Sequence, residues 1–96
     1  MSAFLIARVK IHDPEAYKAY TECSPAIVQS FGGQFIARGG SLETVEGAEF
    51  DGRLVIVQFP TRAAAHAFYH SPAYQELIKL RAGAADAEMI IVEGVE

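Results

Sequence analysis

The chain has 96 residues, 51% of them hydrophobic, with 8 Lys and Arg against 12 Asp and Glu for a formal net charge of −4. A pI near 5.3 and the lack of any basic cluster remove the electrostatic footprint that nucleic-acid binding requires. The one cysteine, Cys23, allows no internal disulfide or zinc ribbon, no apolar run reaches membrane-span length, and Met1-Ser2-Ala3-Phe4 lacks a signal peptide's charged start, so a cytoplasmic, soluble protein is expected.

Phe4 to Ile11 (FLIARVKI) is apolar and partly β-branched, with Leu5, Ala7, Val9 and Ile11 alternating against Phe4, Ile6, Arg8 and Lys10. That pattern predicts a first strand. Asp13-Pro14-Glu15 supplies an N-cap, a proline at the first helical position and an acid in the first turn, ahead of Ala16, Tyr17 and Tyr20 at helical spacing. Ser24-Pro25 repeats the cap signal, so the helix is expected to kink or restart there before Ala26, Ile27, Val28 and Phe31, and Gly32-Gly33 ends it.

Gln34 to Arg38 (QFIAR) reads as a short strand closed by Gly39-Gly40, and Ser41 to Gly52 as a polar, acidic loop or loose hairpin arm. Arg53 to Phe59 (RLVIVQF) is the clearest strand, stopped by Pro60. Thr61 caps an alanine-rich helix that kinks or restarts at Ser71-Pro72 and runs through Tyr74, Leu77, Ile78 and Arg81. Gly83 to Ala87 loosens its end, and Met89 to Val92 (MIIV) is the final strand.

This order, β, α, β, β, α, β, is the α+β ferredoxin-like arrangement over a single domain of residues 1–96, with an antiparallel four-stranded sheet carrying two helices on one face. A monomer of this mass should expose roughly 5,400 Å² and bury about 64% of its unfolded surface. At ~25 cal/mol/Å² the apolar share contributes about 145 kcal/mol, close to the cost of ordering the chain at ~1.5 kcal/mol per residue. Leu54-Val55-Ile56-Val57 and Met89-Ile90-Ile91-Val92 are apolar on both sides, the pattern of a sheet covered twice. Two helices cover one side only, so a second subunit's sheet is expected on the other, in an isologous homodimer, with Val57 and Ile91 as candidate partner-facing positions.

Arg38 to Gly47 (RGGSLETVEG), Phe59 to Leu77 (FPTRAAAHAFYHSPAYQEL), Asp13 to Tyr20 (DPEAYKAY) and Arg81 together make the chain resemble the family catalogued as domain of unknown function 1330. The resemblance covers nearly the whole chain and is most specific at Arg-Gly-Gly, Glu46-Gly47, Phe59-Pro60 and Tyr69 to Gln75. It implies a dimeric α/β barrel, in a superfamily that also holds cofactor-free monooxygenases, haem-degrading enzymes and small-molecule isomerases. The chain departs from the family pattern at Gln58, where an acidic residue is common, and at Phe68, where tryptophan is common. Any family chemistry that rests on that acid is not supplied by Gln58.

His66 and His70 stand at i and i+4, a spacing that two metal ligands on one helix face would need, but Ala67 replaces the zincin glutamate and no third ligand is visible. A solvated helix face accounts for them, and no metal or other cofactor is expected. His12 reads as a turn residue. Cys23, just ahead of Ser24-Pro25, reads as a small buried filler rather than a nucleophile. Gly32-Gly33 and Gly39-Gly40 lack the residues of a phosphate loop.

The polar set Arg38, Tyr69, Ser71, Tyr74 and Arg81, with Gln58 near it in register, offers a different chemistry. A helix broken over a sheet leaves a cleft, where a guanidinium and tyrosine hydroxyls would orient a small carboxylate or phenolic ligand. The same residues have structural readings: Ser71 as a cap, Tyr69 and Tyr74 as packing with hydroxyls at the rim, Arg38 paired with Glu43 or Glu46. The functional expectation is a small homodimeric protein that binds or acts on a small organic molecule between sheet and helices without metal. The alternative is a non-catalytic dimeric binding or interaction module.

Overall fold

The structure, a computed structural model, describes residues 1–95. β1 (Ala3–Ile11) leads through α1 (Pro14–Ser30) to β2 (Gln34–Arg38) and β3 (Arg53–Phe59), then α2 (Arg62–His70), α3 (Pro72–Arg81) and β4 (Ala85–Glu93). The strands form one antiparallel sheet in the order β2-β3-β1-β4. Period-two alternation sorts their side chains: Leu5, Ala7, Val9, Val57 and Phe59 are buried on the face that the helices cover. The helices meet them with Tyr17, Tyr20 and Val28 of α1, Ala65 and Phe68 of α2, and Tyr74 and Leu77 of α3.

Three local outcomes differ from the sequence expectation or resolve it. First, α1 runs unbroken through Pro25. A proline inside a helix removes the N–H that would bond the carbonyl four residues back, here that of Thr21. Arg38 supplies the missing donor, its Nη2 lying 2.8 Å from the Thr21 carbonyl oxygen. A double-mutant cycle tests this: Arg38→Met should cost about 1 kcal/mol alone, and clearly less beside Pro25→Ala, where residue 25 recovers its own N–H. Equal costs in the two backgrounds would uncouple the residues.

Second, the later helical region is two helices. Ser71 is extended (ψ 146) and caps both, ending α2 by donating to the Phe68 carbonyl at 2.8 Å and starting α3 by accepting from the Tyr74 N–H at 3.1 Å. Third, β4 begins at Ala85 rather than Met89. Ala, Asp and Glu are weak strand formers, but the long β1 offers partners as far as Ile11↔Ala85 and Lys10↔Asp86. His12 adds a side-chain hydrogen bond to Asp86 (2.8 Å) and Arg8 an ion pair to Glu88 (3.7 Å).

The sheet's other face carries no helix. Its central row runs Ile56, Ile6, Ile90 across three strands, with Ile90 62% and Val92 46% exposed. Val57 and Ile91 are corrected by this register: both point at the helices, Val57 being buried and Ile91 packing against the core. The molecule is a slab of 34 × 32 × 16 Å exposing 6094 Å². That is about 700 Å² beyond the roughly 5,400 Å² of a compact monomer of this mass, close to the ~800 Å² each partner loses in a standard interface. Among the described residues, no helix is long and apolar enough to cross a membrane.

Candidate functional site

Between α1 and the inner face of the sheet lies a cavity of about 40 Å³, room for about three water-sized groups. Val9, Val55 and Val57 form its floor, Tyr17, Tyr20, Thr21 and Ser24 its roof, and Phe68 and Tyr74 close the side toward α2 and α3. Two arginines, Arg38 and Arg53, join a lining of apolar and hydroxyl-bearing side chains that contains no Asp or Glu.

A β-bulge aims Arg38 inward. Phe35 pairs with Val57 and faces the helices, so strict alternation would send Arg38 to the opposite face; the register slips between Phe35 and Ala37, and Arg38 pairs with the inward Val55. Its guanidinium lies 4.6 Å from the Phe35 ring centroid and bonds the Thr21 carbonyl. It makes no ion pair with Glu43 or Glu46. Arg53 needs no bulge, since residues 53, 55 and 57 share the inner face by alternation. Its side chain packs against Gly39 (φ 70), where any Cβ would collide with the guanidinium. Arg53 is half-buried, its Nε is buried without an acceptor, and no hydrogen bond or ion pair holds it among the described residues.

The tyrosines form a separate network. Tyr20 and Tyr74 share a buried 2.5 Å hydroxyl hydrogen bond, and the Tyr74 hydroxyl reaches Met89 Sδ at 3.7 Å. Burial pushes the Tyr20 hydroxyl far above its usual range, and the Tyr74 oxygen beside it pushes the same way. Burial also raises Tyr17, against the pull of Arg53, Arg81 and Arg38. At neutral pH Tyr20 and Tyr17 therefore stay protonated and are not bases. For Arg81, burial opposes the charge, but the Tyr74 and Tyr20 oxygens outweigh it and raise its pKa, so it stays charged.

The Tyr20 shift has a stability consequence. Its folded pKa lies above the ordinary 10.0, so the folded state holds that proton more tightly than the unfolded chain. The contribution is complete below about pH 10 and is lost as the pH climbs from there toward the folded value. Urea unfolding at alkaline pH should show stability falling above about pH 10, with a smaller slope in Tyr20→Phe. An unchanged slope would assign the alkaline loss to other groups.

The six residues singled out in the sequence do not form one cluster. Arg38 and Tyr74 line the cavity. Tyr69 and Arg81 line an outer groove with His70, Met89 and Ile91. Ser71 is engaged as a double cap. Gln58 pairs with Phe4 and Gln34, at the far end of β2 from Arg38 and on the opposite face of the sheet, where its Nε2 donates to Ser2 Oγ at 3.2 Å. Arg53, Tyr17 and Tyr20 belong to the cavity and were not singled out; the alternation of 53, 55, 57 and the helical spacing of 17, 20, 24 were the available signals. Cys23 is exposed, a correction to the expected buried filler, because the inward stripe of α1 falls on Tyr17, Tyr20, Ser24 and Val28. His66 and His70 stack at 4.3 Å between ring centroids, and among the described residues no group of three or more His, Cys, Asp or Glu is placed to hold a metal ion.

Solved structures share this fold. RPA0582 of Rhodopseudomonas palustris, a protein of unknown function, superposes with a TM-score of 0.75 at 23% identity, covering 99% of this chain and 83% of its own. SnoaB of Streptomyces nogalater, a cofactor-independent oxygenase, gives 0.71 at 11% identity, covering 99% and 94%. A dimeric ferredoxin-like protein of unknown function from Jannaschia sp. CCS1 gives 0.69 at 13% identity, covering 98% and 100%. No curated protein matches the chain. The family profile described as "Domain of unknown function (DUF1330)" matches residues 2–95, and the chain belongs to that family.

Proposed function

We propose that the protein is a homodimer, its open sheet faces packed together as a ferredoxin-like dimeric α/β barrel, and that each subunit binds a small organic anion in the cavity between α1 and the sheet. The observation that carries the ligand is Arg53. A buried guanidinium Nε with no acceptor is costly to maintain, and here it belongs to one of two arginines in a lining without a carboxylate. An anion entering the cavity would supply that acceptor, with the Tyr20 and Tyr74 hydroxyls near its other end and the valine floor beneath any short apolar tail. The cavity's size favours short-chain carboxylates over larger phenolates.

The donor set also bears on catalysis. Arginines and protonated tyrosines polarise a bound group, but no His, Cys or carboxylate lines the cavity to take a proton. That favours binding, or a reaction on a substrate that arrives already ionised. The fold held in common with a cofactor-independent oxygenase supports the second form without requiring a metal. The test is thermal unfolding of the wild type with sodium formate through butyrate against equal sodium chloride. A ligand at 100 times its Kd adds about 2.7 kcal/mol, and Arg53→Gln should remove that shift. The reading falls if none of these anions stabilises the protein, or if the shift survives Arg53→Gln.

A further inference from the structure

We infer that the outer groove formed by Tyr69, His70, Arg81, Ala87, Met89 and Ile91 is a second binding site, independent of the inner cavity, and that it takes an aromatic monocarboxylate. The groove lies beneath α2 and α3 on the inner side of β4, with a volume of about 310 Å³. Leu5 and Met89 line both it and the inner cavity and form the wall between them, braced by the Tyr74–Met89 contact.

The carboxylate follows from Arg81. Its guanidinium lies 5.4 Å from the centroid of the Tyr20 ring. The Tyr74 and Tyr20 oxygens beside it engage part of its donor set, and the rest of the fork is left to find acceptors. The Nε is buried with none among the described residues. No acidic side chain lines the groove, although the chain carries 12 Asp and Glu. A carboxylate entering the groove would supply an acceptor for the guanidinium donors that the tyrosine oxygens leave free.

The aromatic ring follows from the walls. Ala87, Met89 and Ile91 are successive inward residues of an edge strand and make an apolar floor that includes the polarisable Met89 side chain. Above them Tyr69 and His70 stand edge to face at 5.2 Å and 82°, presenting aromatic surface to a planar guest. A short aliphatic acid would satisfy Arg81 and leave that floor wet.

The test is NMR titration of isotope-labelled protein with sodium benzoate, with benzamide as the neutral control. Saturable shifts are expected at Arg81 Nε–H and at the Met89 and Ile91 methyls, with Arg53 Nε–H and the Val55 methyls unmoved. Benzamide should bind at least tenfold more weakly, as should benzoate to Arg81→Gln. Because Arg81→Gln also loses the Tyr20 stacking, Ala87→Leu provides a second variant that fills the floor and leaves the arginine in place; it should weaken benzoate by at least tenfold too. Unchanged affinity in either folded variant, equal binding of benzamide, or no saturable shift in the groove overturns the site. Shifts confined to Arg53 and Val55 would overturn it while supporting the inner cavity, so the two readings fail separately.

Discussion

Ile90→Asp is expected to convert the proposed dimer into a folded monomer, whereas Ile91→Asp unfolds the chain. The two residues are neighbours in β4 and differ in which face they take. Ile90 sits opposite Ile6, which in turn faces Ile56, so it ends the apolar row on the uncovered face. Ile91 sits opposite Leu5 and packs against the core under the helices. In the monomer an aspartate at position 90 is solvated, since that site is 62% exposed. In a sheet-to-sheet dimer it would be buried unpaired, at a cost of several kcal/mol, enough to shift a micromolar equilibrium by a factor of more than 100. Light scattering after size exclusion should fall from about twice 10.4 kDa to 10.4 kDa with the circular dichroism spectrum kept. A wild type that is already monomeric, or an Ile90→Asp variant that stays dimeric, would sink the sheet-to-sheet arrangement.

The same one-residue alternation explains what the sequence did and did not disclose. Elements whose signals are local were legible: Asp13 caps α1 and Thr61 caps α2 as their residue types predict, and β2 and β3 have the expected bounds. The lengthening of β4 was hidden because Ala85 to Glu88 form a strand only through β1 partners about 75 residues away in the chain. The continuity of α1 was hidden for a similar reason, since Pro25 is tolerated through a donor on β2.

Site residues divide along that line too. Arg38 reaches the inner face through a bulge whose position depends on pairing with β3, which no local pattern reveals. Gln58 was the reverse case. Alternation from the inward Val57 and Phe59 places it outward, and only its nearness to Arg38 in a loose register suggested otherwise. Arg53 was legible as an inward residue of β3, but its significance rests on what is missing around it, and an absent acceptor leaves no trace in a one-dimensional pattern.

Arg53→Met is expected to stabilise the ligand-free protein and abolish anion binding, a pairing that a structural arginine would not show. In the wild type the Arg53 Nε is buried with no acceptor, and an unsatisfied buried donor costs about 1–3 kcal/mol. Because the guanidinium is only half-buried, water screens part of that penalty, so a gain of about 1 kcal/mol is the reasonable expectation. Methionine keeps the length needed to cover Gly39 and the valine floor while removing the charge and its donors. For a domain of this size the gain corresponds to a Tm rise of about 4–8 °C without ligand. Arg62→Met, on an exposed position of α2, is the control and should change stability by no more than about 0.5 kcal/mol. With a short-chain carboxylate present the order should invert, the wild type gaining and Arg53→Met not responding. Loss of more than about 1 kcal/mol in ligand-free Arg53→Met would mean that the guanidinium stabilises the fold by its packing over Gly39, and the cavity would then lose its strongest claim to a ligand.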